Sequence, residues 1–204
     1  MHFKQKLWHF LGWLLVAALL PACAATKIQS ISMDETYTGG PIKKILIVGM
    51  STELKSRLKF EKTFAEQFTK QGVNAVASHK VIILAKDLTK ERILKEAAAL
   101  DADAILVTSV IGIKDEYLTY DPANVQRATR SKLSWDWVNT YASEPVTYTK
   151  TESVRLSTTI FERKSEELVW SAITETVRME SAEEVIDSLC GAVLKNIREH
   201  GLIK

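Results

Sequence analysis

Side chains that could carry out catalysis are sparse in this sequence, and none of them forms a recognised reactive motif. Beyond residue 22, histidine occurs only as His79 and His200, and neither stands near a second candidate metal ligand. The motifs His-Glu-x-x-His, Gly-x-Ser-x-Gly and Cys-x-x-Cys are absent, and Gly39-Gly40 lacks the lysine and hydroxyl residue of a phosphate-binding loop. We therefore expect a protein that is not an enzyme and uses no metal or cofactor; a triad assembled from distant residues would leave no such motif.

A segment at residues 116–150 is rich in aromatic side chains and weak in periodicity. It holds two of the five tryptophans and four of the five tyrosines of the chain. Such rings can stack on sugar faces, anchor a protein interface, or fold back as a satellite core. A connection of this length inside a compact domain tends to be functional. The candidate residues for contact with a partner or a glycan are Tyr117, Tyr120, Trp135, Trp137, Tyr141 and Tyr148.

The amino terminus predicts export. Lys4 and Lys6 precede an apolar stretch from Leu7 to Leu20, which is followed by Leu20-Pro21-Ala22-Cys23. This order is typical of a secretory signal, because a permanent membrane span would need about 20 apolar residues. The ending resembles a bacterial lipobox, in which the cysteine becomes lipidated, although Pro21 stands where a small or β-branched residue is usual.

We expect a covalent lipid on Cys23, which would hold the domain on a membrane because acyl chains contribute about 0.8 kcal/mol per buried CH₂. The alternatives are cleavage after Ala24 by the ordinary signal peptidase, or an uncleaved anchor. By analogy with known sorting signals, Ala24 in place of aspartate after the cysteine implies the periplasmic face of the bacterial outer membrane.

The charge of the mature chain argues against nucleic acid as a partner. The 204 residues carry 27 Lys and Arg against 25 Asp and Glu, and loss of the two lysines of the signal leaves 25 of each. Nucleic-acid binding requires a concentrated basic surface, which a formally neutral domain does not indicate.

Four regions follow from these patterns. Residues 1–22 are predicted to be a lipoprotein signal peptide, and 23–41 a lipidated tether without a sustained period. Residues 42–204 are predicted to form a single α/β periplasmic domain, with the aromatic-rich insertion at 116–150 inside it. Its hydrophobic patterns predict the order β-α-β-α-β, then a β-hairpin, then an amphipathic helix packed on a mixed sheet.

Individual residues refine this prediction. Asp87 or Thr89 can cap the second helix, and Ser181-x-x-Glu184 forms a capping box before the last one. Trp170 is expected to be a core anchor beneath the last helix. Cys190, inside that helix, is expected to be a small buried residue rather than a reactive thiol.

Three short motifs carry a resemblance to a known family: Lys44–Val48, Asp101–Leu106 and Glu167–Ser171. With the lipobox and the order of elements, they make the chain similar to bacterial envelope lipoproteins whose domain resembles the amino-terminal domain of TolB. Relatives of that kind include LpoB and CsgG. The resemblance implies a TolB-like fold and a non-catalytic accessory role toward an envelope protein.

Three functional hypotheses follow. The leading one is a membrane-anchored accessory or scaffold protein for a cell-envelope assembly or export machine, with an envelope protein as partner. The second is a lipoprotein that binds peptidoglycan or another polysaccharide through Trp135 and Trp137. The third is an export component that assembles with copies of itself.

Overall fold

Strands and helices alternate along the first half of the domain in the computed structural model, which describes residues 25–114, 153–177 and 181–204. The strands are β1 (Ala25–Met33), β2 (Lys44–Met50), β3 (Asn74–Ala77), β4 (Ala104–Lys114), β5 (Ser153–Glu162) and β6 (Leu168–Val177). The helices are α1 (Leu54–Lys70), α2 (Lys90–Ala99) and α3 (Ala182–Glu199). Two 3₁₀ turns, Ser78–Lys80 and Ala85–Asp87, lie between β3 and α2.

The six strands form one mixed sheet in the order β1-β6-β5-β4-β2-β3. β2 runs parallel to β3 and β4, whereas β4, β5, β6 and β1 pair antiparallel in succession. The expected mixed α/β class, with β-α-β-α-β, a hairpin and a carboxyl-terminal helix, is therefore confirmed. The parallel half of the sheet follows from the helical crossovers, which parallel strands require.

The tether expected at 23–41 is corrected over the part that the structure describes. Ala25–Met33 forms β1, which pairs with β6 from Ala25 opposite Val177 onward. The strand escaped detection because most of its side chains are exposed and a bulge between Ile28 and Ser30 breaks the alternation. The folded unit thus includes residue 25, well before residue 42.

Hydrogen bonds and packing secure β1 to its neighbours. The Thr26 N–H donates to Ser188 Oγ at 2.9 Å, and the hydroxyls of Thr26 and Thr176 lie 2.7 Å apart. Ile28 packs, partly buried, against the core. These contacts tie the edge strand to α3 and β6.

Two apolar cores lie on opposite faces of the sheet. Successive residues of β2 face the two cores alternately: Ile45 and Ile47 belong to one core, and Leu46 and Val48 belong to the other. The first core contains the buried sides of α1 and α3, and the second contains that of α2. The continuous apolar run of β2 is therefore the signature of a strand covered on both faces.

The helix ends follow the predicted capping chemistry. Thr89 Oγ1 accepts a hydrogen bond from Arg92 N at 3.3 Å, so Thr89 rather than Asp87 caps α2. Ser181 Oγ accepts from Glu184 N at 3.3 Å at the start of α3. Gly201 follows α3 with a φ of 73°, a left-handed conformation that favours glycine.

The one cysteine that the structure describes, Cys190, is buried, as expected. Cys190 is 1% exposed in the core under α3. Burial, with a smaller contribution from Asp187, raises the pKa of its thiol to about 12. The reactive thiolate is therefore scarce at neutral pH.

Trp170 holds α3 on the sheet, which confirms its expected role as a core anchor. Its ring is fully buried, and its Nε1 donates a hydrogen bond to Asn196 Oδ1 on α3 at 3.0 Å. The side chain thus combines a large apolar area with one satisfied polar contact.

We expect Trp170→Ala to lower the free energy of unfolding by about 3–5 kcal/mol, because it leaves a large cavity. Trp170→Phe should cost about 1–3 kcal/mol, since it mainly leaves Asn196 Oδ1 without its donor. Urea denaturation followed by circular dichroism measures both. Equal losses in the two variants would contradict an anchor that acts mainly through packing.

Candidate functional site

The sequence-predicted site residues all lie outside the described residues. These are Cys23 and the six aromatic candidates Tyr117, Tyr120, Trp135, Trp137, Tyr141 and Tyr148. The structure nevertheless describes the points at which their segments join the sheet. It therefore shows where each of the two segments joins the sheet.

One row of paired residues marks the end of the sheet where these segments attach. Ala25 of β1 lies opposite Val177 of β6, Val177 opposite Ser153 of β5, and Ser153 opposite Lys114 of β4. We call this end of the sheet the anchor end. The segment before β1 and the insertion between β4 and β5 both join the domain there.

The carboxyl ends of β2 and β3 point in the same direction, because both strands run parallel to β4, but they stop short of this row: Met50 pairs with Ser109, and Ala77 pairs with Ile47. The connection from β2 to α1 and the loop after β3 therefore meet near Gly49, Ser78 and His79. At this position the structure contains a buried polar network that sequence reasoning missed.

The Glu61 carboxylate is the centre of the network. Its Oε1 accepts hydrogen bonds from Gly49 N at 3.0 Å, Arg57 Nε at 3.0 Å and Ser78 Oγ at 2.6 Å. Its Oε2 accepts from His79 N at 2.6 Å and lies 2.8 Å from His79 Nδ1. One fully buried side chain thus joins α1, β2 and the turn after β3.

Arg57 extends the network into the loop after β3. Its guanidinium, which is also fully buried, donates to Ile82 O at 2.6 Å, to Ser78 Oγ at 3.0 Å and to Ile83 O at 3.3 Å. A buried charge is tolerated only when it is paired and hydrogen-bonded, and both partners meet that condition here.

The polar groups of this network are hydrogen-bonded to one another and to the backbone. The Glu61 carboxylate is enclosed by its donors, and the Nδ1 of His79 is engaged with it. Within residues 25–114, 153–177 and 181–204, no three His, Cys, Asp or Glu side chains are grouped to hold a metal ion. Of the helices in those ranges, none is long and apolar enough to cross a membrane.

The sequence did contain a signal for this network. Arg57 and Glu61 occupy the same helical stripe as Phe64 and Phe68, at positions where α1 should be apolar. Charged residues of opposite sign, four apart on a buried stripe, indicate an internal ion pair.

Two clefts flank Tyr37, at the end of the sheet opposite the anchor end. One, of about 300 Å³, is lined by groups including Asp103, Glu162 and Arg163. Burial raises the pKa of Tyr37, and Glu162 and Asp103 add to the shift. Asp103 is engaged by the N–H groups of residues 43 and 44, at 2.9 and 2.8 Å. Its carboxylate therefore has a structural role.

We expect loss of either charge in the network to be costly. Glu61→Leu or Arg57→Met should each lower the free energy of unfolding by about 3–5 kcal/mol, since each leaves a buried partner uncompensated. The double variant should lose less than the two single losses combined. Urea denaturation of all four proteins gives this coupling.

Lys62 and Glu66 provide a matched control for that cycle. They lie on the same helix with the same spacing, their charged atoms are 3.9 Å apart, and their side chains are exposed. Their coupling should be about 0.2–0.5 kcal/mol. A coupling of similar size at Arg57 and Glu61 would contradict the assigned role of the buried pair.

Comparison with known proteins finds only distant structural similarity. No protein-family model and no curated protein matches the chain. The chain is similar to the PelC dodecamer from Paraburkholderia phytofirmans, with 16% identity and a TM-score of 0.45 over 83% of this chain and 94% of that one. It is also similar to lipoprotein GNA1162 from Neisseria meningitidis, with 14% identity and a TM-score of 0.42 over 76% and 98% of the two chains. Values this low do not establish a common function, which must come from the residues of this chain.

Proposed function

We propose that the protein is a bacterial lipoprotein, anchored through Cys23 at the periplasmic face of the outer membrane. There it acts as a non-catalytic accessory or scaffold for a cell-envelope assembly or export machine. The observation that carries the proposal is the lipobox-like Leu20-Pro21-Ala22-Cys23, which ends two residues before β1. The TolB-like relationship to LpoB and CsgG is part of the same proposal.

The position of β1 supports an anchored role. A signal that ends next to an ordered strand leaves almost no linker, so a lipid on Cys23 fixes the domain directly on its membrane. β1 is itself paired along its length with β6. Such an arrangement suits a protein that presents one surface to a membrane-bound machine.

The use of polar side chains supports a non-catalytic role. Arg57, Glu61 and Ser78, which are buried, satisfy one another and the backbone near them. They connect elements of the fold and need no substrate to be satisfied. On this proposal the domain binds and positions its partner and does not catalyse a reaction.

The aromatic-rich insertion at 116–150 is the proposed contact segment. It joins the sheet between Lys114 and Ser153, which pair with each other at the anchor end. Aromatic residues are enriched at protein interfaces, where they act as anchors. A partner that engages the insertion would therefore meet the domain near its membrane.

The lipid anchor has a direct test. We expect Cys23→Ala to abolish incorporation of an alkyne-labelled fatty acid, because it removes the acceptor sulfur. Cys190→Ala serves as the matched control and should keep the label, since Cys190 is buried in the folded core. Label that persists in Cys23→Ala would contradict the anchor.

The contact segment has a separate test. The tagged protein is crosslinked mildly in native membranes, extracted, and analysed by mass spectrometry. We expect one envelope protein in near-stoichiometric amount, lost when residues 116–150 are replaced by a short linker. An unchanged melting temperature of that variant shows that the domain remains folded. A partner that is retained after the replacement would refute this surface, and recovery of cell-wall glycan in place of protein would refute the accessory role.

A further inference from the structure

The two edges of the sheet differ in how much unpaired backbone they present. β3, at one edge, has four residues, whereas β1, at the other edge, has nine. β1 pairs with β6 on its inner side, and within the residues that the structure describes no strand pairs with its outer side. A long strand edge offers free N–H and C=O groups, which can pair with a further strand.

The second half of β1 lacks the features that usually protect a strand edge. Residues 28–33 contain no charged side chain and no proline. Ile31 is 42% exposed, and its neighbours Ser30 and Ser32 are exposed as well. A bulge precedes this stretch, but Ser30–Met33 continues in regular register with β6. The outer side of this stretch is therefore open to pairing.

The sequence of β1 is complementary to itself in an antiparallel pair centred on Ile31. In that register Ile31 lies opposite Ile31 of a second copy, and Ser30 lies opposite Ser32. Residues directly opposite each other in an antiparallel pair point to the same face of the sheet. Ile31 pairs on its inner side with Ala172, a residue of the first core, so both copies of Ile31 would meet on the face that α3 covers.

The flanking residues also match in this register. Gln29 is the extra residue of the bulge, so a neighbouring strand skips it. Met33 of the second copy then lies opposite Ile28, and Asp34 lies opposite Lys27. Ile28 and Met33 are both partly buried against the first core, and Lys27 and Asp34 have opposite charges. The pairing therefore joins apolar side chains on one face and an ion pair on the other.

A cleft beside β1 leaves room for the helix of a second copy. It has a volume of about 480 Å³ and lies between β1 and one flank of α3. This flank has small side chains at Ser188, Gly191 and Ala192, and a Cβ added to Gly191 would meet no atom within 4 Å. The distance at which two helices pack depends on the side chains at their contact, so this flank permits a close approach.

We propose that the outer side of β1 is a self-association surface. Two copies pair antiparallel through β1, about a twofold axis that passes through Ile31 perpendicular to the sheet, and their two sheets become one. The inference goes beyond the proposed function and uses neither the lipid nor the insertion at 116–150. A twofold axis relates points at equal height along it, so a membrane perpendicular to the axis can hold the lipids of both copies of Cys23.

This pairing does not decide the proposed function. Failure of the dimer leaves the lipid on Cys23 and the contact segment unaffected, because these are measured by fatty-acid labelling and by partner crosslinking. Loss of the lipid, in turn, would leave the complementary strands in place.

Disulfide trapping of the full-length protein in intact cells tests the surface. Opposite Cα atoms of an antiparallel pair lie about 4.5–5.5 Å apart, which is within the range of a disulfide. We therefore expect Ile31→Cys to give a disulfide-linked dimer on oxidation. Ile83→Cys is the matched control, because Ile83 is 72% exposed but lies outside β1. The unsubstituted protein gives the background from its own cysteines.

Mass spectrometry of the linked species then identifies both halves. A link at position 31 between two copies of this chain, without one at position 83, supports the surface. Equal linking at the two positions overturns it, because random collision then explains both. No link at position 31, or a link to a different protein, also overturns it.

A second pair of variants tests the register. Ser30→Cys and Ser32→Cys, produced together with different tags, should link to each other and not to their own copies, because diagonal neighbours are about 7–8 Å apart. Adding Ile31→Lys should abolish this link, since two like charges then meet at the axis, whereas adding Ile83→Lys should keep it. Both lysine variants should keep their melting temperature, because both side chains are exposed. A link that persists in a folded Ile31→Lys variant would overturn the proposal.

Discussion

The Glu61 carboxylate is a buried charge at the point where α1, β2 and the turn after β3 meet. Its two oxygens engage Gly49, Arg57, Ser78 and His79, and every one of these groups must be in place to offset the loss of hydration. A methyl group on Gly49 would lie 2.8 Å from the ring of Phe60, so only glycine lets β2 and α1 approach this closely. The loop after β3 depends on this arrangement, because Arg57 donates hydrogen bonds to Ile82 O and Ile83 O.

The two halves of the sheet are stabilised in different ways. In the parallel half, the ion pair of Arg57 and Glu61 sits beside an apolar core and determines how α1 meets the strands. In the antiparallel half, β5 and β6 are paired with one register shift, between Ile160 and Phe161, and Trp170 connects β6 to α3 through Asn196. The two halves meet at β4, which pairs with β2 on one side and with β5 on the other.

Sequence patterns predicted the elements that bury a regular apolar stripe. The capping box at Ser181 and the apolar run of β2 correspond closely to α3 and to the observed strand. Strand β1 was missed because an edge strand needs only backbone pairing, and its exposed side chains follow no period that a sequence pattern could detect. Asp87 and Thr89 were equally good caps in sequence, and only the geometry of α2 distinguishes them.

The site was less predictable than the fold. Motif searches look for reactive groups near one another in sequence, whereas Ser78 and Glu61 are 17 residues apart and meet through the crossover. The charged pair on the buried stripe of α1 could be read from the sequence, but its hydrogen-bond partners in the loop after β3 could not. The insertion at 116–150 stays a prediction from composition, and the structure contributes its point of attachment.

In the proposed anchoring, the short distance in sequence from Cys23 to β1 limits how far from the membrane the protein can act. A folded chain of this length is about 40 Å across, and the two residues from Cys23 to Ala25 add at most about 7 Å to that height. A partner must therefore come to the membrane surface itself, or extend a part of itself toward it. On this proposal a component held deeper in the periplasm would be out of range of the folded domain, so distance from the lipid would select among partners before any side chain contacts them.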